Sequence, residues 1–323
     1  MRLLAIVCGL VAALAAGLLA AHLIFAGEVT FTSARYYQLT NLLAEENPEY
    51  DLALKADLVL PEKTKDVMPA FVFMHGSGGQ LGRHDRYLEL ARALGFVTLQ
   101  VDSFGGRGVW STVGSQTEVT AAMMAVDALR ALKYLAARPD IDAGKIAIMG
   151  SSKGAIAALY AAWTPIREKV AGDLDFAGYA LLYPICVTIE DGKVTASPVH
   201  VFVGELDNWT PPAPCVRQVE TMKSRGRDWG ITLYEGAYHA FDTPRDGIRD
   251  VPSAYGYGGC DLALRADGTD YDAASGYLLN RAERRLAFEA CGKKGSVKIG
   301  GNRAAGALLR DLEKFLQSVL NRP

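Results

Sequence analysis

The stretch Lys145-Ile146-Ala147-Ile148-Met149-Gly150-Ser151-Ser152-Lys153-Gly154, followed by an alanine-rich run to Trp163, decides how this chain folds. Residues 145–149 form a short apolar run of the kind buried on both faces of a parallel sheet. Gly154 to Trp163 reads as a helix. Between the two lies G-x-S-x-G, in which a strand turns sharply into a helix and lifts the central side chain above the sheet edge. The residues flanking so sharp a turn must be small. Ser152 is therefore the candidate nucleophile, and Ser151, at an x position, reads as a plain turn residue.

Working outward, the same alternation recurs. Ala56 to Pro61 ends an early strand, and Phe71-Val72-Phe73-Met74 is a second buried strand. Residues 84–94 carry helical periodicity stopped by Gly95, and Phe96 to Val101 is the next strand. Residues 117–137 predict a long amphipathic helix. Phe176 to Tyr183, Val199 to Val203 and Ile231 to Tyr234 predict three more strands. Residues 303–320 form a closing helix with Leu308, Leu309, Leu312, Phe315, Leu316 and Val319 on one face. Alternating βα units with apolar strands specify an α/β fold, a mostly parallel twisted sheet with helices on both faces. The stretch 244–302 is rich in Gly, Tyr and Asp with a charged helical segment at 281–290. It reads as an irregular insertion before the last helix of a single domain spanning 27–323.

The 323 residues are 50 % hydrophobic and 22 % charged, with 34 Lys+Arg against 36 Asp+Glu. This near-neutral balance argues against a nucleic-acid binder. No two cysteines lie at C-x-x-C spacing, so no zinc site is expected. Residues 3–26 carry no charge and follow Arg2, which predicts a signal peptide or an N-terminal membrane anchor over 1–26 and an exported protein, periplasmic or secreted. Ile24-Phe25-Ala26 is an imperfect cleavage site, and Ala13-Leu14-Ala15 fits better but shortens the apolar run. Membrane contact is expected only through this segment, if it is uncleaved. Cys8 lies inside it and leaves Cys186, Cys215, Cys260 and Cys291 for an oxidising compartment. Of the three possible pairings, Cys186–Cys215 and Cys260–Cys291 are favoured because each closes a modest loop. Free, buried thiols are the alternative.

A nucleophilic serine needs a base. His22 lies in the apolar leader, His84 starts a helix and is expected to face solvent, and His200 lies within a strand. His75 ends the strand Phe71–Met74 and belongs to another motif. His239 follows the last strand of the βα series and is the last histidine in the chain, as the order Ser…Asp/Glu…His requires. The orienting carboxylate should follow a strand between these two. Gly204-Glu205-Leu206-Asp207 supplies it, and Asp207, further past the strand, is preferred to Glu205. The segment His75-Gly76-Ser77-Gly78-Gly79 lets backbone approach a developing oxyanion closely. Its Ser77 amide and the Lys153 amide are the candidate oxyanion donors, with His75 bracing the loop. A phosphate-cradling reading of these glycines fails because the Lys-Ser/Thr of that motif is missing.

Together these segments resemble the α/β-hydrolase superfamily, and more closely the dienelactone hydrolase family. The closer likeness rests on Gly204-Glu205-Leu206-Asp207 with Pro211, on Tyr234-Glu235-Gly236-Ala237 leading to His239-Ala240-Phe241, and on Asp102-Ser103-Phe104-Gly105-Gly106-Arg107-Gly108. It spans about residues 50–243 and the final helix. The family's founding enzymes carry cysteine as nucleophile, so Ser152 points to a serine esterase branch. The resemblance implies a serine carboxylic-ester hydrolase with an acyl-enzyme on Ser152, no metal or organic cofactor, and a small-molecule or polymer-borne ester as substrate. It also implies that Arg107 holds a substrate carboxylate, although tying its own loop to backbone carbonyls is an equal reading. Trp110, Tyr183 and Trp209 follow strand ends and either line a substrate pocket or pack. Two rival readings are a serine peptidase or amidase of related fold, and a non-catalytic binding protein on the same scaffold.

Overall fold

A computed structural model describes residues 26–243, 247–301 and 304–322. The elements run in the order β1 Ala26–Ser33, α1 Leu39–Ala44, β2 Leu52–Val59, β3 Met68–Met74, α2 Asp85–Ala93, β4 Val97–Asp102, α3 Ala121–Ala136, β5 Ile141–Ser151, α4 Lys153–Ala161, α5 Thr164–Ala171, β6 Gly178–Leu182, β7 Thr188–Ile189, β8 Val199–Gly204, α6 Pro212–Ser224 and β9 Trp229–Tyr234. Then come β10 Ile248–Val251, β11 Tyr255–Gly256, β12 Leu262–Leu264, β13 Asp270–Asp272, α7 Arg284–Cys291, β14 Lys293–Lys294, β15 Val297–Gly300 and α8 Ala305–Leu320.

Eight strands form the main sheet in the order β1-β2-β4-β3-β5-β6-β8-β9. β1 and β2 join antiparallel, and β4, β3, β5, β6, β8 and β9 run parallel. The burial patterns explain this division. β2 alternates Leu52, Leu54, Ala56 and Leu58 inward with exposed residues between, the signature of a strand with one solvated face. In β3, Ala70 to Met74 are all buried, because helices cover both faces.

Helix α3 starts four residues later than the sequence predicts. Residues 117–120 are spent on its entry: Thr120 Oγ1 accepts the Met123 amide at 3.1 Å and caps the helix. The closing helix α8 buries Leu308, Leu312, Phe315, Leu316 and Val319. It lies so close to β6 that a Cβ on Gly178 would fall 2.7 Å from Val319 Cγ2.

His84 does not face solvent. It is fully buried, its ring 4.9 Å from that of Phe73, and neither ring nitrogen has a hydrogen-bond partner among the described residues. Burial, aided by the Arg83 charge, lowers its pKa from 6.5 to about 3. A base whose folded pKa is depressed gives stability that is complete above its unfolded pKa and is lost as pH falls toward the folded one. His84→Phe is therefore expected to flatten the fall in stability between about pH 6.5 and pH 3. Urea midpoints of both proteins across that range check it. Parallel pH profiles would contradict it.

The insertion is more ordered than its composition suggests. Its β12 pairs in parallel with β7, beyond the end of β6, and β15 pairs with β10. Cys260 is bonded to Cys291 within the insertion, and Cys186 to Cys215 between the segment after β6 and α6. Asp272 lies beside Cys260 and Cys291, but both sulfurs are in the disulfide and the carboxylate accepts the Asp261 and Ser275 amides. The expected leader falls outside the described residues except for Ala26, which opens β1. Among the described residues no helix is long and apolar enough to cross a membrane.

Candidate active site

Ser152 sits between β5 and α4 with φ +53° and ψ −116°, a backbone strain that non-glycine residues rarely carry. The two glycines of the motif make the turn feasible. A Cβ on Gly150 would lie 2.1 Å from the Gly154 carbonyl oxygen, and one on Gly154 would lie 2.2 Å from that of Met74. The parallel strands deliver three loops to this end of the sheet. β8 leads to Asp207, β9 to His239, and β3 to the loop of Gly76 and Ser77.

His239 Nε2 lies 3.1 Å from Ser152 Oγ, and His239 Nδ1 lies 2.8 Å from Asp207 Oδ2. Asp207 and His239 are both buried, whereas Ser152 is partly open to solvent. The other oxygen of Asp207 accepts the Trp209 and Thr210 amides at 2.9 and 2.8 Å, which fixes the carboxylate. Thr210 Oγ1 adds contacts at 3.0 Å to both Asp207 Oδ2 and His239 Nδ1. Glu205 is exposed and accepts the Gly236 amide, so it braces a turn away from the imidazole.

The loop of Gly76 packs directly on the elbow: a Cβ there would lie 3.0 Å from the Ser151 carbonyl oxygen. Among the described residues, neither the Ser77 nor the Lys153 amide donates to a protein acceptor. Burial lowers the pKa of His75. It joins the Gly76 carbonyl through Nδ1 at 2.8 Å and accepts the Ser103 amide at Nε2 at 3.2 Å. Ser77 is held from both sides, its carbonyl by the Thr112 amide and its hydroxyl by Gln116 Oε1.

The four residues read as possible substrate contacts separate. For Arg107 the substrate-carboxylate reading is corrected in favour of the loop-tying one: its guanidinium is buried, Nη1 and Nη2 are bidentate to Asp127 at 2.8 and 2.9 Å and donate to the Ser103 and Ala34 carbonyls, and Nε has no partner among the described residues. It ties its own loop to α3 and has no free face for a substrate carboxylate. Tyr183 is likewise fully buried. Trp209 packs over His239 with ring centroids 4.8 Å apart and stays partly exposed. Trp110 is 87 % exposed, on the rim of a shallow groove of about 200 Å³ beside Gly78 and Gly79.

Sequence reasoning missed the support beneath these residues. Tyr183 has φ +40°, and its ring lies 4.5 Å from that of His239. Its hydroxyl accepts from Ser151 Oγ at 3.1 Å and donates to Asp242 Oδ1 at 2.9 Å. Its carbonyl is 3.2 Å from Thr210 Oγ1. The buried Asp242 also accepts the Tyr87 hydroxyl at 2.8 Å. One residue thus touches the imidazole, the neighbour of the nucleophile and the brace of Asp207. Tyr183→Phe leaves Asp242 and Ser151 each short of a partner, a cost of about 1–3 kcal/mol. The expected result is a kcat lowered by about 10-fold at nearly constant KM. Ester kinetics beside a melting curve check it, and an unchanged kcat would contradict it.

The insertion reaches this site. Its Gly300 accepts the Tyr238 amide and donates to the His239 carbonyl. Asn208, next to Asp207, bonds the Ser296 carbonyl and the Lys298 amide. Both loops that carry buried acid and base are thereby clamped by β15 and the turn before it. Composition alone held no signal for that role.

A central, mostly parallel sheet with a partly solvent-open serine at a strand–helix elbow is the α/β-hydrolase fold. The pattern of the dienelactone hydrolase family matches residues 60–261, and the chain belongs to that family. YtaP of Bacillus subtilis (strain 168), whose name calls it a hydrolase, is 30 % identical over 140 residues, 37 % of this chain. The match spans 47 % of YtaP, about half its length. A Bradyrhizobium protein named for 2-oxo-3-(5-oxofuran-2-ylidene)propanoate lactonase activity is 27 % identical over 62 % of this chain and 82 % of its own. Among solved structures, the dienelactone hydrolase-like promiscuous phosphotriesterase P91 from metagenomic libraries aligns with a TM-score of 0.50 and 16 % identity. That alignment covers 68 % of this chain and 85 % of P91, a likeness of fold.

Proposed function

We propose that this chain is an exported serine carboxylic-ester hydrolase that works through an acyl-enzyme on Ser152. The observation that carries the reading is the contact series Ser152 Oγ, His239 and Asp207 at 3.1 and 2.8 Å, built on a strained elbow. Membership of the dienelactone hydrolase family supports the reaction class.

In this reading Ser152 Oγ attacks the acyl carbonyl carbon while His239 Nε2 takes its proton. Asp207 keeps the other imidazole proton on Nδ1 and stabilises the imidazolium. The Ser77 and Lys153 amides donate to the tetrahedral oxyanion. The C–O bond to the alcohol breaks, and His239 returns its proton to the leaving oxygen. Water, deprotonated by His239, then cleaves the acyl-enzyme and restores Ser152. Two disulfides are compatible with an oxidising compartment and support export.

The purified chain is expected to turn over p-nitrophenyl acetate and to leave peptide p-nitroanilides intact. Anilide cleavage without ester turnover would transfer the site to the peptidase reading. Failure on both would favour a binding protein.

A further inference from the structure

We infer that the insertion completes the acyl pocket of this site and restricts the enzyme to short, apolar acyl groups. The inference rests on the proposed serine hydrolase reading. A small, partly open cavity of about 30 Å³ lies at the carboxyl end of the sheet. The hydrolase core gives it Lys153, Ile156 and Ile185, and the insertion gives it Tyr257, Leu279 and Phe288.

Ser152, Ser77 and His239 do not line it, but residues next to the first two do. Lys153 follows the nucleophile and is one of the two proposed oxyanion donors. Gln116, which also lines the cavity, accepts the hydroxyl of Ser77, the other proposed donor. Ile185 stands two residues beyond Tyr183, whose ring packs on His239. The groove of about 200 Å³ beside Gly78, Gly79 and Trp110 borders the oxyanion loop but takes no residue from the insertion, and two grooves of about 520 and 460 Å³ lie elsewhere. They open at Gly95 before β4 and at Val199 and Trp229, which begin β8 and β9. That is the amino end of the parallel strands, opposite the nucleophile.

The walls define the ligand. The Lys153 ammonium is buried and donates to Thr112 Oγ1 at 2.6 Å and the Val119 carbonyl at 2.7 Å. The Arg284 guanidinium donates to the Gln116 and Leu279 carbonyls. These cations are engaged by the protein, and beside them and Gln116 the remaining wall, Ala121, Ile156, Ile185, Leu262, Leu279 and the aromatic rings, is aliphatic and aromatic. One water-sized group needs about 10–15 Å³ of such volume. The cavity therefore holds about two such groups, an acetyl or propionyl tail. Tyr257 and Phe288 close it with ring centroids 5.0 Å apart, and the Cys260–Cys291 disulfide anchors both their segments.

The test is kcat/KM along the series p-nitrophenyl acetate, butyrate and hexanoate, for the full chain and two variants. Each misplaced methylene in such a pocket costs about 10-fold or more, so the wild type should prefer acetate over hexanoate by at least that factor. Leu279→Ala enlarges the cavity and should narrow the acetate-to-hexanoate ratio by about 10-fold. Ile156→Phe fills it from the hydrolase side and should widen the ratio, which keeps the test alive should Leu279→Ala fail to fold. A flat wild-type profile, or a ratio unmoved in the folded variants, overturns the inference. Phosphonylation of Ser152 by a fluorophosphonate runs alongside. Its absence in the wild type would instead overturn the serine hydrolase reading, so the two failures are distinguishable.

Discussion

Ser152→Ala is expected to lower kcat/KM on p-nitrophenyl acetate by about 10⁴-fold or more while the protein stays folded. The exchange removes one oxygen and keeps the Cβ. The elbow strain at φ +53° is then the same in both proteins, and the close contacts of Gly150 and Gly154 are untouched. His239 and Asp207 remain paired at 2.8 Å but have no proton to take. Residual turnover would come from the oxyanion amides and binding, which survive the loss of a nucleophile. Steady-state kinetics beside a thermal melt measure both halves. Turnover within 10-fold of wild type would move the nucleophile away from Ser152.

Arg107→Ala is expected to cost about 3–5 kcal/mol of stability. Both members of the pair are buried, with side chains 5 % and 0 % exposed, and the alanine would leave Asp127 without its cation. Ser33 Oγ, at 2.5 Å from Asp127, is the remaining partner in that pocket. Removing one partner of a buried pair is costly, whereas replacing both with apolar residues is often neutral. Arg107→Met with Asp127→Leu should therefore recover most of the loss. Chemical denaturation of the single and double variants decides the matter. A stable Arg107→Ala with a raised KM for carboxylate-bearing esters would restore the substrate-binding role that the buried pair argues against.

How much was legible in the sequence follows from what kind of signal each part leaves. Strands buried on both faces, such as Ala70–Met74 and Ile146–Met149, announce themselves as unbroken apolar runs. The G-x-S-x-G, the Asp207 turn and His239 lie directly after such runs, so position along the chain located them. The disulfide partners were chosen by loop size, and the structure pairs them that way.

Other features depend on contacts far apart in sequence. Arg107 and Asp127 are individually ordinary residues, and only the docking of α3 on the loop after β4 makes them a buried pair. A histidine at the start of a helix is expected to face solvent, yet His84 is fully buried against the Phe73 ring. Tyr183 and Asp242 are separated by 59 residues, so their bond left no local pattern. Asp207 and Thr210 were closer to legible, because Asp three residues before Thr is a spacing at which a carboxylate captures backbone amides. Outside the helical segment at 281–290, which the structure realises as Arg284–Cys291, the insertion lacks periodicity because its pieces are strands of two to four residues paired to other segments. A composition rich in Gly, Tyr and Asp conceals that order.

The central claim is that Ser152 is a nucleophile activated by His239. Treating the folded protein at neutral pH with a fluorophosphonate and mapping the adduct by peptide mass spectrometry tests it most directly. The account predicts one adduct per chain on the peptide holding Ser152, lost in Ser152→Ala and strongly slowed in His239→Ala. A folded wild type that takes up no adduct, or takes it up on another residue, would contradict it.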